Sequence, residues 1–151
     1  MPTVSVLCHL YYEHSLDILK PYLDNLSAYD TTYFFNLCTE VPYRSRLAKR
    51  LHASFKNTVI TCSPNVGKDI GGKLLLVDAY LKLQKPSRYM VLVHDKNSPH
   101  TPMGELWRTK LLRILEGQNV QHILKEFAAN HSVGLIAVSY THLTLPTNRE
   151  V

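Results

Sequence analysis

The chain has only three cysteines in 151 residues, Cys8, Cys38 and Cys62, and no two of them are spaced C-x-x-C. An odd, scattered set excludes a disulfide framework and a thiol-rich zinc module, and predicts small buried thiols in a reducing compartment. No apolar run approaches the length of a membrane span, and no charged-then-apolar leader opens the sequence. Glycine is sparse at six residues. No G-x-G-x-x-G, G-x-x-x-x-G-K-[ST] or G-x-S-x-G is present, so dinucleotide, P-loop and serine-nucleophile fingerprints are all missing. The net charge of +5 is moderate and its basic residues are scattered. It suits an anionic partner without selecting one. The densest basic stretch, "RSRLAKR" (44–50), reads as the solvated face of a helix with Leu47 and Leu51 inward, not as a nucleic-acid surface.

What is present is alternation. Apolar, β-branched runs at 3–8, 31–38, 57–62, 89–94 and 133–138 read as five strands. Between them lie helical patterns. Ser15 precedes a first helix as its N-cap, with Leu16, Leu19, Leu23 and Leu26 inward and Pro21 as a kink. Residues 43–54 form a second. The third, 70–83, carries Leu74, Leu75, Val77, Leu81 and Leu83 as its apolar residues. Helices over 103–116 and 120–129 follow, the last behind an Asn119 cap. Strand–helix alternation predicts an α/β fold, a three-layer, Rossmann-like sandwich with a mostly parallel sheet. The expected strand order is 3-2-1-4, with the switch point between strands 1 and 4. Residues 1–138 form that domain. The tail "SYTHLTLPTNREV" (139–151) has neither period, and is expected to be non-native sequence after a truncated domain.

Ligands of open α/β sheets bind beside the switch point, at the carboxyl ends of the strands. Three loops there hold most of the unusual polar residues: "HLYYEH" (9–14), "SPNVGKDIGG" (63–72) and "HDKNSPH" (94–100). Half of the six glycines, Gly67, Gly71 and Gly72, lie in the second loop, where they permit unusual backbone angles or a close ligand. The helix starting near Asp69 aims its free N–H groups at the crevice, and Lys68 adds a cation, so a phosphate-bearing ligand fits. Asp69 is either the helix cap or a ligand for a sugar hydroxyl. Asp95 ends an apolar strand, where an unpartnered carboxylate is costly. It could hold a divalent cation, Mn²⁺ or Mg²⁺, that bridges a diphosphate, or pair with Lys68 or Lys96. A zinc site of His9, His94 and His100 lacks regular ligand spacing. Trp107 is expected in the core, with Arg108 reaching back to a phosphate or to Asp95.

Taken together, "N-V-G-K-D-I", then "H-D-K-N-S", then "W-R" resemble the rhamnan synthesis protein F family. Asn65, Gly67, Lys68, Asp69, His94, Lys96, Ser98, Trp107 and Arg108 match its pattern residue by residue. The resemblance implies a sugar transferase in polysaccharide or lipopolysaccharide biosynthesis, drawing on a nucleotide-diphosphate deoxysugar such as dTDP-rhamnose. It implies the nucleotide-binding half of a glycosyltransferase A fold, in the cytoplasm or at the inner face of the cell membrane, and a glycan acceptor that could be lipid-linked. Nucleotide-sugar contacts would then fall to Asn65, Gly67, Lys68, Asp69, His94, Asp95, Lys96, Ser98 and Arg108, with Asp95 as the metal ligand. Where such folds carry Asp-x-Asp, His94-Asp95-Lys96 has one carboxylate. Two other readings compete: a non-catalytic nucleotide- or carbohydrate-binding domain, and a phosphate-binding domain like a response regulator.

Overall fold

A computed structural model describes residues 1–83, 86–95 and 103–138. The chain divides into two compact units, Met1–Lys96 and Asn97–Val151, which are described separately.

The first unit runs β1 (Thr3–Leu10), α1 (Ser15–Leu23), a 3₁₀ turn (Asp24–Ala28), β2 (Asp30–Cys38), α2 (Arg44–Ser54), β3 (Thr58–Ser63), α3 (Lys68–Lys82) and β4 (Tyr89–His94). Its four strands form one parallel sheet in the order β3-β2-β1-β4, as the alternation of elements predicts. The pleat divides the sheet's side chains. Leu7 and Phe34 face α3 and close a cluster with its Leu76 and Tyr80. The neighbouring strand positions, Tyr33 and Phe35, face the other way and pack their rings against Phe55 at the end of α2. Tyr33 donates its hydroxyl proton to the Leu23 carbonyl at the end of α1. Helices therefore cover both faces, and β1 and β2 are buried between them.

Leu47 and Leu51 are fully buried, and the basic face of α2 is solvated as expected. Arg46 and Arg50 on that face pair with Glu13 and Asp17 at the start of α1. Two local expectations fail, at Ser15 and at Cys62. Ser15 is not an N-cap: His14 holds that position, and the Ser15 hydroxyl turns instead to Asp95. α3 buries the line Gly72–Leu76–Tyr80, leaving Leu74 and Leu81 at 65% and 66% exposure. That line wins because its glycine lets the helix settle on the sheet. Cys8 and Cys38 are buried, but Cys62, in edge strand β3, is exposed. Pro21 lies inside α1, which passes into the 3₁₀ turn three residues later.

The second unit contains α4 (Gly104–Leu112), a 3₁₀ turn (Arg113–Leu115) and α5 (Gly117–Ala129). Leu112 and Leu115 are buried, while Trp107 and Arg108 are half-buried. Asn119 does not cap α5. It lies inside that helix and donates to the Arg113 carbonyl at 2.6 Å, an oxygen that also accepts the Glu116 N–H. Residues 133–138 form no strand; they contribute a single bridge residue at 137, and Leu135 is exposed. An apolar run becomes a strand only when a neighbour takes up its backbone groups. The expected tail, 139–151, lies outside the described residues.

Candidate functional site

Parallel pairing brings the carboxyl ends of β1, β3 and β4 to one edge of the sheet. β1 leads away to β2 on one side, while β4 returns on the other. The crevice between β1 and β4 is thus the switch point.

The β3–α3 loop is shaped by its backbone. Gly67 takes φ +76° and Lys68 φ +52°, two consecutive left-handed residues before α3 winds up. Such a conformation costs a non-glycine residue about 1–2 kcal/mol. Gly71 and Gly72 serve packing, not ligand approach. A Cβ on Gly71 would stand 2.0 Å from the Val66 carbonyl oxygen, and one on Gly72 would stand 2.1 Å from Nδ1 of His9. Lys68 is exposed at the helix start. Asp69 follows it in the first turn, where Gly67 is the N-cap, so the capping role expected of Asp69 is not filled. Its Oδ2 lies 3.7 Å from Nε2 of His94. Asn65 is exposed and donates its N–H to Glu40 at 3.0 Å, which helps hold that carboxyl below the usual range.

Asp95 is committed elsewhere. Its Oδ2 accepts the N–H groups of Tyr11 at 2.8 Å and Tyr12 at 2.7 Å. The Ser15 hydroxyl donates to the same carboxylate, and the Asp95 N–H donates to the His9 carbonyl. Burial pushes the carboxyl up from its ordinary value, and these donors pull against that rise. Asp95 thereby staples the end of β4 to the β1–α1 loop. Among the described residues it has no ion pair with Lys68, and no three His, Cys, Asp or Glu are grouped to hold a metal. Lys96 and Ser98 lie outside the described residues, as does His100. Arg108 belongs to the second unit.

The sequence reading missed a polar row inside the sheet. Thr61, Asn36, His9 and His94 are register partners across β3, β2, β1 and β4. Thr61 donates to Oδ1 of Asn36 at 2.8 Å. The Asn36 amide donates to the Ser63 hydroxyl at 2.9 Å and to Nδ1 of His9 at 3.1 Å. Asn36 is fully buried and His9 is 3% exposed. Burial pulls the His9 pKa down, and Asp95 and Asp69 oppose it. Lys73, one turn beyond Asp69, is half-buried; burial lowers its pKa, while Asp69 and Cys8 support its charge. The signal was there to find, because each of these polar residues interrupts an apolar run near its carboxyl end.

This arrangement offers an edge with two lysines, a helix start and a neutral imidazole, set against the carboxylates of Asp69 and Glu40. It is suited to an anionic, hydroxyl-rich ligand. Residues 1–146 match the family model described as Rhamnan synthesis protein F. The match covers nearly the whole chain and runs past Val138 into the segment read as a tail. No curated protein matches, and no solved structure matches. The chain belongs to the rhamnan synthesis protein F family, which places it in the synthesis of rhamnan, a polysaccharide.

Proposed function

We propose that this chain is the donor-binding domain of a glycosyltransferase, which passes a rhamnose-like deoxysugar from a nucleotide diphosphate to a growing cell-surface polysaccharide. The observation that carries the reading is the convergence at one switch-point edge of the α3 N-terminus, Lys68, Asp69 and His94, in a chain of a polysaccharide-synthesis family. Transfer requires an acceptor hydroxyl to attack the anomeric carbon while the diphosphate leaves with its negative charge stabilised. Lys68 and the free N–H groups of α3 supply that stabilisation, with Lys96 as the second cation expected from the sequence. A divalent cation, Mn²⁺ or Mg²⁺, would supply Lewis-acid charge to the same phosphates. Asp95 fits that role poorly, since its Oδ2 already accepts hydrogen bonds from the β1–α1 loop. Donor binding is cytoplasmic in this proposal, with a lipid-linked glycan acceptor and peripheral contact at the inner membrane face. No helix among the described residues is long and apolar enough to cross a membrane.

Titration calorimetry with dTDP, UDP, the matching nucleotide sugars and AMP, each with and without Mn²⁺ or Mg²⁺, tests the reading. Diphosphates should bind most tightly. Lys68→Ala should weaken them about tenfold, the loss of one charge-assisted contact, while Lys49→Ala on the solvated face of α2 should leave them unchanged. Equal binding by both variants would remove the diphosphate site.

A further inference from the structure

The buried His9 has no role in the reading above, although it lies at the floor of the same crevice. Its ring rests on Gly72, within the first two turns of α3, and its register partner is His94. Nδ1 is used: it faces the amide nitrogen of Asn36, which is fixed in turn by Thr61 and Ser63. An acceptor at Nδ1 places the proton of a neutral imidazole on Nε2. Among the described residues no hydrogen bond or ion pair reaches that Nε2. Every fully buried side-chain polar atom there has a partner, so Nε2 retains solvent contact. A 3%-exposed imidazole with one nitrogen anchored and the other open is built to meet something that enters the crevice.

A second group points to the same place. Lys73 is half-buried one turn along α3 from Asp69, and its charge is felt at His9 beneath the helix. A half-buried ammonium beside a neutral N–H donor suits a phosphate oxygen better than a sugar ring, because both groups donate and neither accepts.

We infer that His9, through Nε2–H, and Lys73, through Nζ, are diphosphate-binding residues, and that Thr61, Asn36 and Ser63 form a relay of hydrogen bonds that fixes the His9 tautomer. The inference rests on the diphosphate reading of the edge and adds two residues outside the motifs to it. It also gives the polar row a purpose. A parallel sheet interior is ordinarily apolar, and burying an amide and an imidazole there is tolerable only with every bond made.

Long-range ¹H–¹⁵N spectra of the histidine-labelled chain, assigned with His9→Gln, read the tautomer directly and need no destabilising variant. The expected result is a neutral ring protonated on Nε2 at pH 7, whose Nε2–H resonance moves as UDP is added. A ring protonated on Nδ1, or one unmoved while calorimetry shows UDP bound, overturns the inference and leaves the diphosphate site standing. Failure of UDP to bind the wild-type chain overturns both. In folded variants, His9→Phe and Lys73→Met should each weaken UDP about tenfold, and His9→Gln, which keeps a donor, should stay within about threefold. Wild-type affinity in both His9→Phe and Lys73→Met would likewise overturn it.

Discussion

Replacing Asp95 by alanine should destabilise the first unit by about 3 kcal/mol. The carboxylate accepts two backbone N–H bonds and the Ser15 hydroxyl. Hydrogen bonds to a charged group contribute about 1.5–3 kcal/mol each, and the variant would leave two part-buried donors unpaired. Against that loss stands the relief of a buried carboxylate, worth on the order of 2 kcal/mol. With an m-value of about 2 kcal/mol/M, the urea midpoint should fall by about 1.5 M. Asp95→Asn keeps one acceptor oxygen and removes the buried charge, so it should cost about 1 kcal/mol. The amides of Tyr11 and Tyr12 report the staple itself, and their hydrogen exchange should accelerate in Asp95→Ala far more than that of β2. A midpoint within about 0.5 kcal/mol of the wild type, with Tyr11 and Tyr12 still protected, would refute the staple.

Other outcomes follow from the same contacts. Gly72→Ala should cost about 1–3 kcal/mol because its Cβ would enter the His9 ring, and Gly71→Ala should cost more because a backbone carbonyl cannot move aside; denaturant melts check both. The depressed His9 pKa contributes stability that is complete above its unfolded value, about 6.5, and is lost as pH falls toward the folded value. The raised Asp95 pKa has the opposite sense: its contribution is complete below the unfolded value, about 3.9, and is lost as pH rises through the folded value. Melts across pH 4–8 should therefore lose their low-pH slope near pH 6 in His9→Gln and their acidic slope in Asp95→Asn. Unchanged profiles would show that neither group titrates as its surroundings require.

The sheet order was legible because it depends on features spread over many residues: four apolar runs, three intervening helical patterns and the handedness of crossovers. Single-residue roles were less legible, because they depend on which partner arrives. Ser15 and Asp69 both carry capping chemistry, yet Ser15 is drawn to Asp95 and Asp69 sits past the cap, beside His94. Helix α3 has more apolar residues than it can bury, and its buried line was fixed by Gly72 lying on His9, 63 positions earlier in the chain. Residues 133–138 have strand composition but pair only through a single bridge residue, 137. The glycines of "NVGKDIGG" were read as unusual backbone angles or room for a ligand: Gly67 takes the left-handed angle, and Gly71 and Gly72 make room for the protein's own atoms.

Once Asp95 is counted as part of the scaffold, the charge of the crevice leans to the basic side. At the start of α3 stand Lys68 and the helix N-terminus, and by the inference above Lys73, with Asp69 as the acid of the first turn and Glu40 held on Asn65. Asp69 lies in the first turn of α3 and shares its charge between His94 and Lys73. If the crevice holds only a diphosphate, Asp69 opposes the ligand. Its removal as Asp69→Asn should then tighten UDP by about fivefold, the effect of about 1 kcal/mol of repulsion at a partly screened separation. If Asp69 instead accepts a sugar hydroxyl, the same variant should still tighten UDP but should weaken the nucleotide sugar, which loses a charge-assisted bond. Calorimetry with the two ligands side by side separates these cases, because the ratio of their affinities cancels whatever the substitution does to the phosphates. A UDP affinity that falls in Asp69→Asn would contradict the electrostatic account, and would place the phosphates away from the start of α3.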